Sequence, residues 1–136
     1  MKKKLRTIML IDDNDDDNFY HQREINKYNQ EISIITMETA MDALKYFKTL
    51  KEYNSLVPDL IFLDINMPCM DGWEFLQEYN NLDNELLSTA VIIMLTTSNN
   101  PDDIRKTTGW NFVADFSTKP LTKEKLEGII KKFLLD

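Results

Sequence analysis

One cysteine, one histidine and three glycines are all that this 136-residue chain has of those residue types. With Cys69 alone, an internal disulfide and a multi-cysteine zinc site are excluded, which suits a reducing compartment. With His21 alone, a histidine-rich metal site is excluded as well. No apolar run approaches the roughly 20 residues that a membrane-spanning helix needs. The short apolar segment behind the basic N-terminus runs straight into acidic residues, so it does not read as a signal peptide. The expectation is a cytoplasmic protein without membrane contact. Positive charge is scarce too: 16 Lys and Arg against 23 Asp and Glu give a formal net charge of −7. A general nucleic-acid binder needs a basic face to neutralise phosphates. The one basic run, Lys2-Lys3-Lys4, is too short for that and reads as a solvated N-terminal tail. Internal repeats, low-complexity stretches and Pro/Gly/Ser-rich linkers are missing, so residues 1–136 read as one domain with its core over about 5–135.

What is present is an alternation. Short apolar runs, placed at about 5–12, 32–38, 59–64, 91–96 and 112–117, are separated by stretches of helical period. Asp15 or Asp16 can cap a helix running through Phe19 to Tyr28. Thr39 opens a second, with Ala40, Ala43, Leu44 and Phe47 at helical spacing. A third opens after Asp71-Gly72 and turns Phe75, Leu76 and Tyr79 inward. Asn100-Pro101-Asp102-Asp103 offers a cap, a first-turn proline and two acids for the positive end of a helix dipole, and Gly109 a stop. Leu126, Ile129, Ile130, Phe133 and Leu134 form a last amphipathic stripe. Five such units in a row predict an α/β fold, an open doubly wound parallel sheet with helices on both faces. Its site is expected beyond the C-terminal ends of the strands.

Those ends carry chemistry. Asp12 and Asp13 close the run Ile8-Met9-Leu10-Ile11, and Asp64 closes Leu60-Ile61-Phe62-Leu63. Thr96 and Thr97 end the next run, and Lys119-Pro120 follows the last. A carboxylate at the exit of a buried strand is costly unless it has a task. As a nucleophile toward a phosphoryl group it would give an acyl phosphate. Mg²⁺ answers the repulsion between two anions, because it favours a few carboxylates, waters and phosphate oxygens over a closed protein cage. Asp13 with Asp64 supplies hard ligands, Asp12 supports them, and a backbone carbonyl near Asn66 completes the protein's share. Lys119 offers a point charge and a Thr hydroxyl a last hydrogen bond.

Each piece alone has a plainer explanation, as a helix cap or a solvated charge; together, at different strand ends, they point to one site. Asp13, Asp15 and Asp17 followed by Glu24 also have calcium-loop spacing. The turn glycine is replaced by Asn18 and the preceding segment reads as strand, so Asp15 to Asp17 are better explained as charges at a helix start. His21 reads as a surface residue, Trp73 and Trp110 as helix-flank packing, and Cys69 as an incidental loop thiol.

Ile11-Asp12-Asp13, Leu63-Asp64-Ile65-Asn66-Met67-Pro68 with Asp71-Gly72, Leu95-Thr96-Thr97-Ser98 and Phe116-Ser117-Thr118-Lys119-Pro120 resemble the receiver domain of bacterial two-component response regulators, in order and over nearly the whole chain. The resemblance implies a flavodoxin-like five-stranded sheet of order 2-1-3-4-5. It makes Asp64 the phosphoacceptor, Asp12 and Asp13 the acidic pair for Mg²⁺, and Lys119 the phosphate-binding lysine before a cis proline bond. Thr96 becomes the switch hydroxyl, Phe116 the switch aromatic, and Asn66 and Ser98 tune phosphate lifetime. The stretch from Thr96 to Lys119 is one residue longer than usual, which leaves Thr97 as second choice for the switch.

The chain stops soon after its last helix, so the expectation is a stand-alone signalling switch, not an enzyme with turnover. A sensor histidine kinase or histidine phosphotransfer protein would donate, and a downstream protein would respond. Nucleic acid and membrane are not expected partners, and the protein is expected as a monomer or weak dimer. The alternatives are a relay intermediate, a degenerate receiver that only binds, and an Asp-nucleophile phosphatase. The last would want an acid at position 66, where this chain has Asn66.

Overall fold

A computed structural model describes residues 3–50, 52, 56–82, 85–87, 89–97 and 113–135. The helix expected from Asn100-Pro101 to Gly109, together with Ser98 and Trp110, lies outside the described residues.

Seven strands and four helices are described: β1 (Lys3–Lys4), β2 (Thr7–Ile11), α1 (Asp15–Tyr28), β3 (Ser33–Met37), α2 (Ala40–Lys48), β4 (Leu60–Asp64), α3 (Gly72–Asn80), β5 (Val91–Thr96), β6 (Val113–Thr118), α4 (Lys123–Phe133) and β7 (Leu134–Leu135). A 3₁₀ turn, Glu85–Leu87, precedes β5. The main sheet is parallel in the order β3-β2-β4-β5-β6. Counted without the two-residue β1, this is the expected order 2-1-3-4-5.

Every residue of β2 and β4 is buried. Successive side chains on a strand point to opposite faces, so a central strand covered on both sides must be apolar throughout. Met9, Ile11, Ile61, Leu63 and Met94 pack with Phe47 of α2 and Phe75 and Leu76 of α3. Ile8, Leu10, Phe62, Ile93 and Leu95 pack on the other face with Ile25 of α1 and Leu126 and Ile130 of α4. The unbroken runs in the sequence are the imprint of this double burial.

Helix starts follow local chemistry. Thr39 and Thr122 cap α2 and α4 through their hydroxyls. Asp71 and Glu74 form a reciprocal capping box on α3. For α1 the cap is Asn14, whose Oδ1 accepts from the Asp17 amide at 3.0 Å, instead of the expected Asp15 or Asp16. Those acids fall in the first turn, where they complement the helix dipole.

Of the N-terminal lysines, Lys2 lies outside the described residues, and Lys3 and Lys4 are not a free tail. Lys3 and Lys4 form β1, paired in parallel with Leu134 and Leu135 of β7. Lys3 Nζ also sits 3.0 Å from Asp59 Oδ1 and donates to Thr89 Oγ1 at 3.1 Å. Asp59 Oδ2 accepts from the amides of Arg6 and Thr7 at 2.8 and 2.9 Å. This buried carboxylate satisfies two amides at the entry of β2, and the lysine neutralises it.

Candidate functional site

Because the five strands run parallel, their last residues share one edge. Asp12 follows β2, while Asp64 and Thr96 end β4 and β5; Lys119 follows β6. They surround a crevice of about 180 Å³ lined by Asp12, Asp13, Asn14, Asp17, Asp64, Asn66, Thr97 and Lys119.

Asp12 is fixed from several sides. Its amide donates to the Met37 carbonyl at 3.0 Å and its carbonyl accepts from Asn18 Nδ2 at 2.9 Å. Oδ1 accepts from the Asn14 amide at 3.0 Å, and Oδ2 faces Lys119 Nζ at 2.7 Å. Asp13, one residue on, is exposed at the rim. One carboxylate oxygen each from Asp12, Asp13 and Asp64 lie within 4.8 Å of one another. Three hard oxygen donors at that spacing suit a small divalent cation.

Asp64 is buried, 4% exposed. Burial is the main reason its carboxyl is pushed up to about 6, with the negative charge of Asp12 adding to it. The Lys119 ammonium and the Asn66 amide pull in the other direction. For Lys119, burial alone would lower the ammonium; its hydrogen bonds to Asp12 and Asp17 hold it above the ordinary lysine range. Lys119 Nζ stands 2.7 Å from Asp12, 2.8 Å from Asp17 and 3.4 Å from Asp64.

The turn after β4 is shaped by Gly72. A Cβ there would meet the Asp64 carbonyl oxygen at 2.8 Å and Ile65 Cα at 3.0 Å. The Gly72 amide donates to the Ile65 carbonyl at 2.8 Å, so α3 starts directly against the backbone of the acid. Cys69, exposed in the same loop, has a left-handed backbone with φ 68°.

Thr96 is fully enclosed, whereas Thr97 is exposed and reaches the crevice wall. Between β5 and β6 the register jumps from Ile92↔Val113 to Ile93↔Asp115, leaving Ala114 as a bulge. The bulge takes up a residue on the β6 side, and beyond it Thr96 faces Thr118. The Lys119 amide then donates to the Thr96 carbonyl at 2.7 Å. The Lys119–Pro120 bond is cis, and Lys125 Nζ braces the turn by donating to the carbonyls of Thr118 and Pro120 at 2.7 and 3.0 Å. Phe116 is half-buried and packs against the core on the α2 and α3 side.

Two residues differ from their sequence reading. His21 is buried, 2% exposed, in the wall of a cleft that adjoins the crevice through Asp17, Thr97 and Lys119. Burial lowers its imidazole below the ordinary histidine range, with Asp17 opposing. Its inward turn was hidden because Phe19 and Tyr20, the apolar neighbours, are the ones left exposed. Asp17 is the second: read as a helix-start charge, it is also an ion-pair partner of Lys119. The distance in sequence between the two conceals the contact.

The family model of the response regulator receiver domain matches residues 8–131. Response regulator Rcp1 of Synechocystis sp. is 32% identical over 100 residues, covering 73% of this chain and 67% of its own. Its Mn²⁺-bound structure, 28% identical, superposes with a TM-score of 0.72 over 93% of this chain and 90% of that one. A two-component response regulator from Cytophaga hutchinsonii is 26% identical, with a TM-score of 0.84 over 96% and 97% of the two chains. The phosphorylated cyanobacterial phytochrome response regulator RcpA is 31% identical, with a TM-score of 0.74 over 94% and 90%. By sequence, fold and the content of its strand-end crevice, the chain belongs to the response regulator receiver domains of two-component signalling.

Proposed function

We propose that this receiver is a phosphoacceptor switch whose acceptor is Asp64. The observation that carries the reading is one buried carboxylate set between a cation and two further carboxylates. Lys119 Nζ is 3.4 Å from Asp64, and the oxygens of Asp12, Asp13 and Asp64 lie within 4.8 Å. The capture of RcpA in phosphorylated form and of Rcp1 with Mn²⁺ supports it by analogy. Asp12, Asp13 and Asp64, with the backbone at Asn66, would hold Mg²⁺. Bound there, the ion neutralises charge on the phosphoryl oxygens.

An Asp64 carboxylate oxygen attacks the phosphorus of a phosphorylated histidine on a kinase or phosphotransfer protein. The new O–P bond forms as the donor N–P bond breaks, and the imidazole nitrogen leaves with the electron pair and takes a proton. Lys119 stabilises the transferred oxygens as a point charge. Asn66 stands at the crevice rim, where it affects access of water to the acyl phosphate; Ser98 is the second lifetime position.

Phosphorylation then shifts a population instead of creating a new shape. Thr96 turns its hydroxyl to the phosphate, and Phe116 moves into the space it leaves. Phe116 stands on β6 between Asp115 and Ser117, which border a groove of about 210 Å³ with Ile129, Lys132 and Phe133 of α4, so a shift of the strand there alters the face offered to a target protein. The domain acts in the cytoplasm, as a monomer or weak dimer, through protein partners. The test is labelling with acetyl [³²P]phosphate in Mg²⁺ and in chelator. Hydroxylamine-labile label that needs both Mg²⁺ and Asp64 is the expected result; hydroxylamine-resistant label, or label retained in Asp64→Asn, contradicts it. Rapid passage of the label to a second histidine protein would assign a relay instead.

A further inference from the structure

We propose that Asp17 is a positioning residue that latches Lys119 away from Asp64 until a phosphoryl group arrives. This rests on the phosphoacceptor reading and deepens it. An ammonium has three donors. The Lys119 ammonium faces three carboxylates, at 2.7 Å from Asp12, 2.8 Å from Asp17 and 3.4 Å from Asp64, and donates a hydrogen bond to Asp17. The residue that the phosphoryl group needs is thus held more closely by two other acids, and the acceptor is the longest of its three contacts.

Asp12 and Asp17 are not equivalent holders. The Asp12 side chain is 3% exposed, bonded to the Asn14 amide, and belongs to the acidic triad. Asp17 lies outside that triad, its side chain is 36% exposed, and it borders both the crevice and the adjoining cleft. It can swing to water without breaking another described hydrogen bond of its carboxylate, because the helix cap uses its backbone amide. A phosphoryl group on Asp64 brings more negative charge than one carboxylate and draws the ammonium across. Asp17 thereby sets how strongly the resting site resists phosphorylation, and its release accompanies switching.

Asp17→Asn keeps the backbone cap and removes the competing charge. Asp16→Asn removes a like charge from the same turn and serves as the control. The expected result is about fivefold tighter beryllofluoride binding in Mg²⁺ for Asp17→Asn than for Asp16→Asn, with Asp17→Glu returning toward the parent. Mg²⁺ affinity, measured alone, should differ between the two Asn variants by less than that, which a general change in charge or fold would not produce. Equal beryllofluoride affinities, or weaker binding in Asp17→Asn, overturn the latch. A second measurement needs no phosphoryl chemistry: reductive methylation of Lys119, followed by mass spectrometry of the metal-free proteins. Faster methylation in Asp17→Asn than in Asp16→Asn shows the ammonium held by Asp17, and equal rates overturn the proposal. Parent protein that binds no beryllofluoride contradicts the phosphoacceptor reading, while the methylation rates still decide whether Asp17 holds Lys119.

Discussion

The Lys119 amide donates to the Thr96 carbonyl across 2.7 Å, joining the end of β5 to the turn that carries the crevice cation. A movement of the Thr96 backbone therefore reaches Lys119 directly, and Phe116 lies on the same strand as that turn. The contact exists because the Ala114 bulge absorbs a residue of β6 before the strands end.

Thr96→Ala should leave beryllofluoride binding within about threefold and suppress the change it causes over β6 and α4, read by hydrogen exchange. Thr97→Ala should retain that change although Thr97 lines the crevice. The reverse pattern would move the switch hydroxyl to Thr97.

Asp64 sets a pH dependence of stability. Its carboxyl is raised from 3.8 to about 6, so the folded state binds protons more tightly than the unfolded chain. Stability is then highest below about pH 4 and falls as pH rises through about 6, by ~3 kcal/mol in total for this group. Asp64→Asn should be more stable than the parent at pH 7.5 by about 1–3 kcal/mol, and the gain should vanish near pH 4. Urea unfolding at the two pH values measures this; an equal difference at both would refute the assignment.

Mg²⁺ should stabilise the fold by relieving repulsion among Asp12, Asp13 and Asp64. At a hundred times its Kd the gain is about 2.7 kcal/mol, a rise in Tm on the order of 10 °C. Asp13→Ala should abolish most of that rise. A parent Tm that is the same in chelator and in millimolar Mg²⁺ would speak against the triad.

Gly72→Ala should cost about 1–3 kcal/mol, because the new methyl meets the Asp64 carbonyl and the Ile65 backbone, which cannot give way as the flexible Met94 side chain can. It should also weaken beryllofluoride binding by displacing the acceptor. A variant as stable and as tight as the parent would show that the turn yields at little cost.

Asp59→Ala should cost about 2–4 kcal/mol by stranding the amides of Arg6 and Thr7. Lys3→Ala should cost less, since the amides keep their acceptor. Equal losses in urea unfolding would mean that the ion pair, not the amide bonds, carries the role of Asp59.

What the sequence made legible was whatever repeats locally or ends a strand. Double burial makes β2 and β4 uninterrupted apolar runs, and parallel topology brings Asp12, Asp13, Asp64, Thr96 and Lys119 to one edge. The cap of α3 was readable because Asp71 and Glu74 are three residues apart. What stayed hidden depends on pairings between distant segments. Asp59 is an ordinary acid until β2 lies beside it, and Lys3 joins a sheet only when β7 returns to it. His21 turns inward and Phe19 outward against the polarity of their surroundings, because the α1 face toward the crevice is polar. The Ala114 bulge has no local signal in the sequence, because its place is set by pairing with β5, and the extra residue expected around Thr108 to Asn111 lies outside the described residues.

The measurement that bears most directly on the phosphoacceptor claim is intact mass after incubation with acetyl phosphate and Mg²⁺. One added phosphoryl group in the parent, absent from Asp64→Asn and absent in chelator, is the predicted result. An unmodified parent that also fails to bind beryllofluoride, or an adduct that persists in Asp64→Asn, would contradict it.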